Sequence, residues 1–379
     1  MVHVTIDCRT IEEDKAGVGY YTLHLVKALL ALQSGHEFTL LASKKNEAHL
    51  CEQIGGCDGS PNLMHGSVTY ESHPVGDLWE HTILPLRLHH RRVQVFHSPA
   101  YLCPWIKVGF HTVVTIPDLI ALLFPKEVPS HYALYMRHML PTTARRADRV
   151  IVFSESTKAD LLTHCPVKPE DIVVIPLAAG PMFRPVEDPE RIAEVCHKYG
   201  IAKRYILYLG NVQPLKNLPR IFTAFKIIRD KLRGECQVVV CGKKRWFQRR
   251  VDDAVRGYQL DEDVLFTGYV EEADVPALYS GAEIFVFPSL YEGFGLPLVE
   301  AMSCGVPVVT SNVSSIPEVV GDAALLVNPC DEIELAEAMF SLLTNGSLRR
   351  KMREAGLMRA SLFSWARTAE QTLAVYESL

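Results

Sequence analysis

The sequence has no excess of basic residues, no Cys-x-x-Cys pair and no long apolar run, and each absence closes off a class of function. Across 379 residues, 39 Lys and Arg face 44 Asp and Glu, a net charge of -5. Duplex nucleic-acid binding calls for a basic face, which this balance argues against. A local basic patch could still meet a membrane on a mildly acidic background. No stretch approaches the roughly 18 uninterrupted apolar residues that span a bilayer. The opening Met-Val-His-Val-Thr-Ile lacks the basic start and apolar run of a secretory peptide and reads directly as a strand. The expectation is a cytoplasmic protein, with peripheral contact at the inner face of the membrane left open and the oligomeric state unread. The ten cysteines are scattered, and several sit in apolar runs (Cys103, Cys236, Cys241, Cys304). Reduced, buried thiols are therefore expected rather than disulfides or zinc ligands.

What is present is an alternation. Runs of strand length alternate with helical periodicity almost throughout, which predicts an α/β protein with parallel sheets covered by helices. The length suits two doubly wound domains. Strands are expected at Val2–Ile6, Glu37–Leu41, Val93–Phe96, Thr112–Ile116, Arg149–Phe153 and Ile172–Ile175. A loop holding Gly17 and Gly19 is expected after the first strand, then a helix with Tyr21, Leu25, Ala28, Leu29 and Leu32 on one face. Pro176 to Pro189, rich in proline, reads as the linker. It divides an N-terminal domain over 1–180 from a second over 181–363. The second half repeats the rhythm with strands at Tyr205–Leu209, Gln237–Cys241, Val264–Phe266, Ile284–Phe287 and Val306–Thr310. A last helix over 364–379 carries Trp365, Leu373 and Tyr376. Ligands of such sheets bind beyond the carboxyl ends of the strands, so a cleft between two facing domains is the expected site.

The strongest motif is Phe287-Pro-Ser-Leu-Tyr-Glu292-Gly-Phe-Gly-Leu-Pro-Leu-Val-Glu300-Ala-Met. It leaves a buried strand, turns through Gly293 and Gly295, and enters a helix with Pro297 in the first turn. The glycines let backbone approach a ligand closely, and the free amides of the helix start suit phosphate oxygens. Glu292 in the loop and Glu300 on the helix could hold hydroxyls on two parts of one elongated ligand. The plainer reading is a strand–turn–helix with two surface glutamates.

This motif resembles the donor site of family 4 retaining glycosyltransferases (glycosyltransferase group 1), which have the GT-B fold, and the whole pattern looks most like their bacterial mannosyltransferases. The resemblance implies that Glu292 holds hydroxyls of the donor sugar. It further implies that Phe294, Gly295 and Leu296 line sugar and diphosphate, and that Glu300 binds ribose. Leu207-Tyr-Leu-Gly210-Asn211-Val-Gln-Pro-Leu215-Lys216 resembles the family's diphosphate loop, with Lys216 a compact charge for the leaving group. Leu215 stands where an arginine is usual, and Lys243, Lys244 or Arg245 could compensate or simply be a solvated loop. Ile6-Asp-Cys-Arg with Gly17-Val-Gly19 is similar to the opening strand and glycine loop near the donor phosphate, and Phe96-His97-Ser-Pro99 also fits. Val270, after Thr267-Gly268-Tyr269, would lie against the nucleobase. In Thr115-Ile-Pro117-Asp118, Asp118 matches the family aspartate while Pro117 replaces a histidine. Asp118 could equally be a helix cap or turn residue. His89-His-Arg-Arg92 could be a metal cluster, a membrane-facing basic patch or a solvated helix end.

The resemblance thus predicts a retaining, metal-independent hexosyltransferase with Glu292, Lys216 and Asp118 catalytic and no cofactor beyond a nucleotide diphosphate sugar. The donor is expected to be GDP-mannose or a UDP-hexose, with mannose favoured, and the partner is a hydroxyl acceptor, with no nucleic acid involved. The alternatives are a catalytically silent nucleotide-sugar-binding relative and a nucleotide-sugar epimerase of the same fold.

Overall fold

The computed structural model describes all residues except 12–16, 44–46, 55–61, 67–78 and 243–247. Lys243, Lys244 and Arg245 lie outside the described residues. The chain forms two compact units, Met1–Leu177 with Ser364–Leu379, and Ala178–Phe363.

Unit 1 holds a parallel sheet of β1 (His3–Asp7), β2 (Glu37–Ser43), β3 (Asn62–Gly66), β4 (Val95–Ser98), β5 (His111–Thr115), β6 (Arg149–Val152) and β7 (Ile172–Val174). Their spatial order is β3-β2-β1-β4-β5-β6-β7. Unit 2 holds β8 (Arg204–Leu209), β9 (Cys236–Cys241), β10 (Val264–Gly268), β11 (Ile284–Phe287), β12 (Val308–Ser311) and β13 (Ala324–Val327). These lie in the order β10-β9-β8-β11-β12-β13. All recorded pairings are parallel, for example Ile284 opposite Ile206 and Phe285 opposite Val308.

The strands read as unbroken apolar runs because both faces of each sheet are covered. Every residue of Ile284-Phe-Val-Phe287 and of Cys236-Gln-Val-Val-Val-Cys241 is buried. Burying one such aliphatic or aromatic side chain contributes about 1.5–3 kcal/mol. Helices start on side-chain caps where the sequence supplies them. Ser154 accepts from the Thr157 amide, Asp331 from Ile333 and Glu334, and Ser364 from Arg367.

Several expectations are corrected. Gly17 and Gly19 are not in a loop; they form the first turn of the helix Gly17–Ala31. Glycine at 19 is required by packing, since a Cβ there would stand 2.5 Å from the Thr10 carbonyl oxygen. β3 and β13 were not anticipated, nor were the helices Pro189–Lys198 and Gly346–Ala360. Pro189 opens its helix, with Asp188 capping it through the Glu190 amide, so the proline-rich stretch ends in regular structure. Among the described residues eight cysteines are outside any disulfide, but Cys51 is disulfide-bonded. It sits partly exposed on the short helix Glu47–Gln53 rather than in an apolar run. The thiols in apolar runs follow the expectation, and burial pushes Cys103 up to about 12.

Candidate active site

In each sheet the strand order reverses once, between β1 and β4 in unit 1 and between β8 and β11 in unit 2. Loops from the carboxyl ends of the two strands flanking a reversal diverge to opposite faces, which leaves a crevice for a ligand. In unit 2 those loops are the two motifs singled out above. One follows β8 from Gly210 to Lys216, and the other follows β11 from Pro288 to Gly295. They are bonded to each other: the Leu290 amide donates to the Leu215 carbonyl at 2.8 Å. Asn217, in the left-handed region at φ 57°, reaches across with its side-chain amide to the Pro288 carbonyl at 3.2 Å and the Pro329 carbonyl at 2.8 Å.

The backbone of Glu292 is held on both sides. Its amide donates to Ser314 Oγ at 3.0 Å, and its carbonyl accepts from Ser315 Oγ at 2.9 Å. Gly295 turns the chain at φ 93° into the helix Leu296–Ser303, whose start carries no side-chain cap. A non-glycine residue is strained in that conformation. First-turn amides without a cap are oriented donors for an anion.

The side chains then converge. Lys216 Nζ donates to Glu292 Oε1 at 2.5 Å, and both are mostly sheltered, with 18% and 10% of their side chains exposed. The ammonium also lies 5.3 Å from the centre of the Phe287 ring. Glu292 Oε2 accepts no hydrogen bond among the described residues. Glu300 lies on the helix, buried, 3.4 Å from the Tyr279 hydroxyl. Burial raises its carboxyl from 4.5 to about 8, against the lowering effect of the Tyr279 hydrogen bond. The two glutamates therefore have different chemistry: Glu292 is paired to a cation, and burial favours the protonated form of Glu300.

Leu215 is buried, 6% exposed. At this position the chain has packing where the resemblance led one to expect charge, so Lys216 alone of that pair carries charge. Gly210, Gly242 and Gly268 end β8, β9 and β10 with positive φ. The Gly210 amide donates to Cys241 and the Gly242 amide to Gly268, at 2.9 and 2.8 Å. A Cβ on Gly242 would lie 2.0 Å from the Gly210 carbonyl oxygen. Asn211 is partly exposed beside this edge, and Val270 is buried just past β10. Gly293 and Phe294 are buried within the β11 loop, Leu296 is partly exposed, and Phe294 packs edge-on against Phe363.

In unit 1, Asp118 follows the carboxyl end of β5. Its Oδ1 accepts from the Ile120 amide at 3.0 Å, so it does serve as a turn residue, and its Oδ2 accepts from the Tyr101 hydroxyl at 2.8 Å. Pro117 is buried. His97 is fully buried and pushed down to about 3 by burial, bonded to Tyr376 at 2.6 Å and Thr115 at 2.8 Å. The Asp7 carboxylate receives Arg9 at 2.6 Å, and Arg9 also reaches Glu80 at 3.2 Å. His89, His90, Arg91 and Arg92 are exposed at the end of the helix Leu84–His90. Among the described residues no group of three His, Cys, Asp or Glu is placed to hold a metal ion. No described helix is long and apolar enough to cross a membrane. Sequence reasoning missed Tyr101, Tyr279, Ser314 and Ser315. A tyrosine or serine outside a motif carries no local signal, and their roles come from distant chain segments.

Two doubly wound units, one with cation, carboxylates and an uncapped helix start at its strand-order reversal, place the chain among the α/β proteins that bind a ligand at that crevice. Comparison with known proteins narrows it. The family profile "Glycosyl transferases group 1" matches residues 197–358, and "Glycosyltransferase Family 4" matches residues 16–179. The O-antigen chain mannosyltransferase B of Escherichia coli is 30% identical over 376 residues, covering 96% of each chain. The serotype-specific mannosyltransferase WbdA of Escherichia coli is 31% identical over 281 residues, 72% of this chain but 34% of that protein, so the chain spans about a third of its length. A crystal structure of Anabaena HepE in complex with UDP and glucose superposes with a TM-score of 0.76 at 15% identity over 100% of both chains. At that identity the likeness speaks for the GT-B fold alone. The chain belongs to the group 1, family 4 glycosyltransferases, and it is a glycosyltransferase enzyme.

Proposed function

We propose that this enzyme transfers mannose from GDP-mannose, with retention, to a hydroxyl of a glycan or glycolipid. The observation that carries the reading is the meeting of Lys216 and Glu292 beside the uncapped helix start, at the strand-order reversal of unit 2. The mannosyltransferase names of its relatives supply the sugar. Unit 2 is the donor-binding domain, and unit 1, with its closing helix, is the acceptor-side domain.

In this reading Glu292 Oε2 accepts a hydroxyl of the donor sugar while Oε1 keeps Lys216 in place. Lys216 and the amides around Gly295 and Leu296 stabilise charge developing on the diphosphate, a preorganised arrangement that acts when the leaving group becomes anionic. Glu300 binds the ribose hydroxyls. Gly210 and Asn211 border the diphosphate, and Val270 the base. The bond from the anomeric carbon to phosphate breaks as the bond to the acceptor oxygen forms on the same face, and the acceptor proton passes to the leaving phosphate oxygen. No cofactor or metal takes part.

A thermal-shift panel of nucleotide sugars tests the donor. A donor present at 100 times its Kd stabilises the folded state by about 2.7 kcal/mol. GDP-mannose should give the largest rise; a rise with UDP-sugars and none with GDP-mannose refutes the donor assignment. Peripheral membrane contact is assigned to the exposed turn His89–Arg92 beside exposed Ile83 and Leu86. Flotation with phosphatidylglycerol vesicles but not with phosphatidylcholine vesicles is expected, and equal recovery with both counts against it.

A further inference from the structure

We propose that Tyr101 is a positioning residue that aims the Asp118 carboxylate at the substrate; the inference rests on the proposed transferase activity, with Asp118 in the catalytic role that the family resemblance implies for it. The two residues lie on separate loops. Tyr101 follows β4 and Asp118 follows β5, so both stand at the carboxyl edge of neighbouring strands, where ligands of such sheets bind. Both carboxylate oxygens are engaged, Oδ2 by the Tyr101 hydroxyl at 2.8 Å and Oδ1 by the Ile120 amide at 3.0 Å. Two donors from different segments leave the carboxylate one orientation, and charge-assisted bonds of this kind are the stronger class.

The backbone of Tyr101 gives the independent observation. It is in the left-handed region at φ 58°, which for a bulky residue is an outlier that persists only where surrounding structure over-determines it. The determinants are visible. The Tyr101 amide donates to the Thr115 carbonyl at 2.9 Å, clamping the β4 loop onto the end of β5, and its ring packs on the core cluster containing Leu102, Ile116 and Leu119. This conformation points the phenol back to the residue three positions beyond Thr115. Pro117, which has no side-chain donor, cannot orient Asp118 itself, and Tyr101 supplies that donor from outside the Pro117-Asp118 motif.

The test is a double-mutant cycle of Tyr101→Phe and Asp118→Asn. The assay is nucleotide release from whichever of GDP-mannose, UDP-glucose and UDP-galactose raises the melting temperature most, with and without a mannose-terminated acceptor. Tyr101→Phe keeps the ring and removes only the hydroxyl. We expect kcat to fall about tenfold with donor KM within about twofold, as for loss of one hydrogen bond to a charged group. The double variant should be no slower than Asp118→Asn, since a residue acting through another adds nothing once that other is gone. Losses that multiply in the double variant, or a wild-type rate in Tyr101→Phe beside an impaired Asp118→Asn, overturn the proposal alone. A wild-type rate in Asp118→Asn removes the role given to Asp118 and the proposal with it.

Discussion

Lys216→Ala tests the site twice, because its two consequences are read in different assays. Opposite charges about 4 Å apart at an effective dielectric near 20 attract by about 4 kcal/mol. Lys216 and Glu292 are closer than that and largely shielded from water, but desolvation offsets part of the gain. Removing the lysine strands a carboxylate that is 10% exposed, at a net cost of about 2 kcal/mol, between the values for surface and fully buried pairs. For a domain of this size that is a fall in Tm of about 4–8 °C. The double variant Lys216→Ala/Glu292→Ala should recover part of the loss, because no charge is then left alone. Transfer should fall in Lys216→Ala by about a hundredfold or more, the usual consequence of deleting a group that stabilises leaving-group charge, and the double variant should not regain it. Calorimetry and initial rates on the purified variants separate the two effects. Wild-type transfer in Lys216→Ala would refute the assignment, and a double variant less stable than Lys216→Ala would refute the stranded-charge argument.

Three further outcomes are expected. A carboxyl raised from 4.5 to about 8, as burial raises Glu300, binds its proton more tightly folded than unfolded, so stability is lost as pH rises from about 4.5 and levels off above about 8. Glu300→Gln should therefore flatten the decline in Tm across that window for the nucleotide-free protein; an unchanged slope argues against a protonated Glu300. Gly242→Ala places a Cβ 2.0 Å from a backbone oxygen at φ 150°, and should cost about 3 kcal/mol or more, seen as a urea midpoint shift; a loss below about 1 kcal/mol would show that this sheet edge can yield. Transfer should continue at an unchanged rate in excess EDTA, and its abolition with recovery on adding magnesium would contradict the metal-independent reading.

The loops that build the site were legible because their chemistry is local. A strand end, two glycines, a proline in a first turn and a pair of glutamates lie within one stretch of chain, and each implies its own conformation. β3 and β13 were not, for different reasons. Asn62-Leu-Met-His-Gly66 is an edge strand with little apolar pattern, and Ala324-Leu-Leu-Val327 is too short to distinguish a strand from a helical turn. The boundary of the first helix was misplaced because Gly17 and Gly19 suggest a loop by composition. Glycine at 19 answers instead to the Thr10 carbonyl, a contact within the fold. Tyr279 and Tyr101 were invisible for the same reason, since what makes each matter is a carboxylate 21 and 17 positions away, respectively.

The helix Trp365–Glu377 belongs to unit 1, where Tyr376 hydrogen-bonds to His97 of β4, although all of unit 2 precedes it in the chain. On the ribosome, unit 2 can therefore finish while unit 1 still waits for its final piece. Until that helix emerges, the surface it covers on the first domain is open to chaperones and to other nascent chains. Removing Trp365–Glu377 should accordingly damage the unit whose other elements all precede unit 2 in the chain.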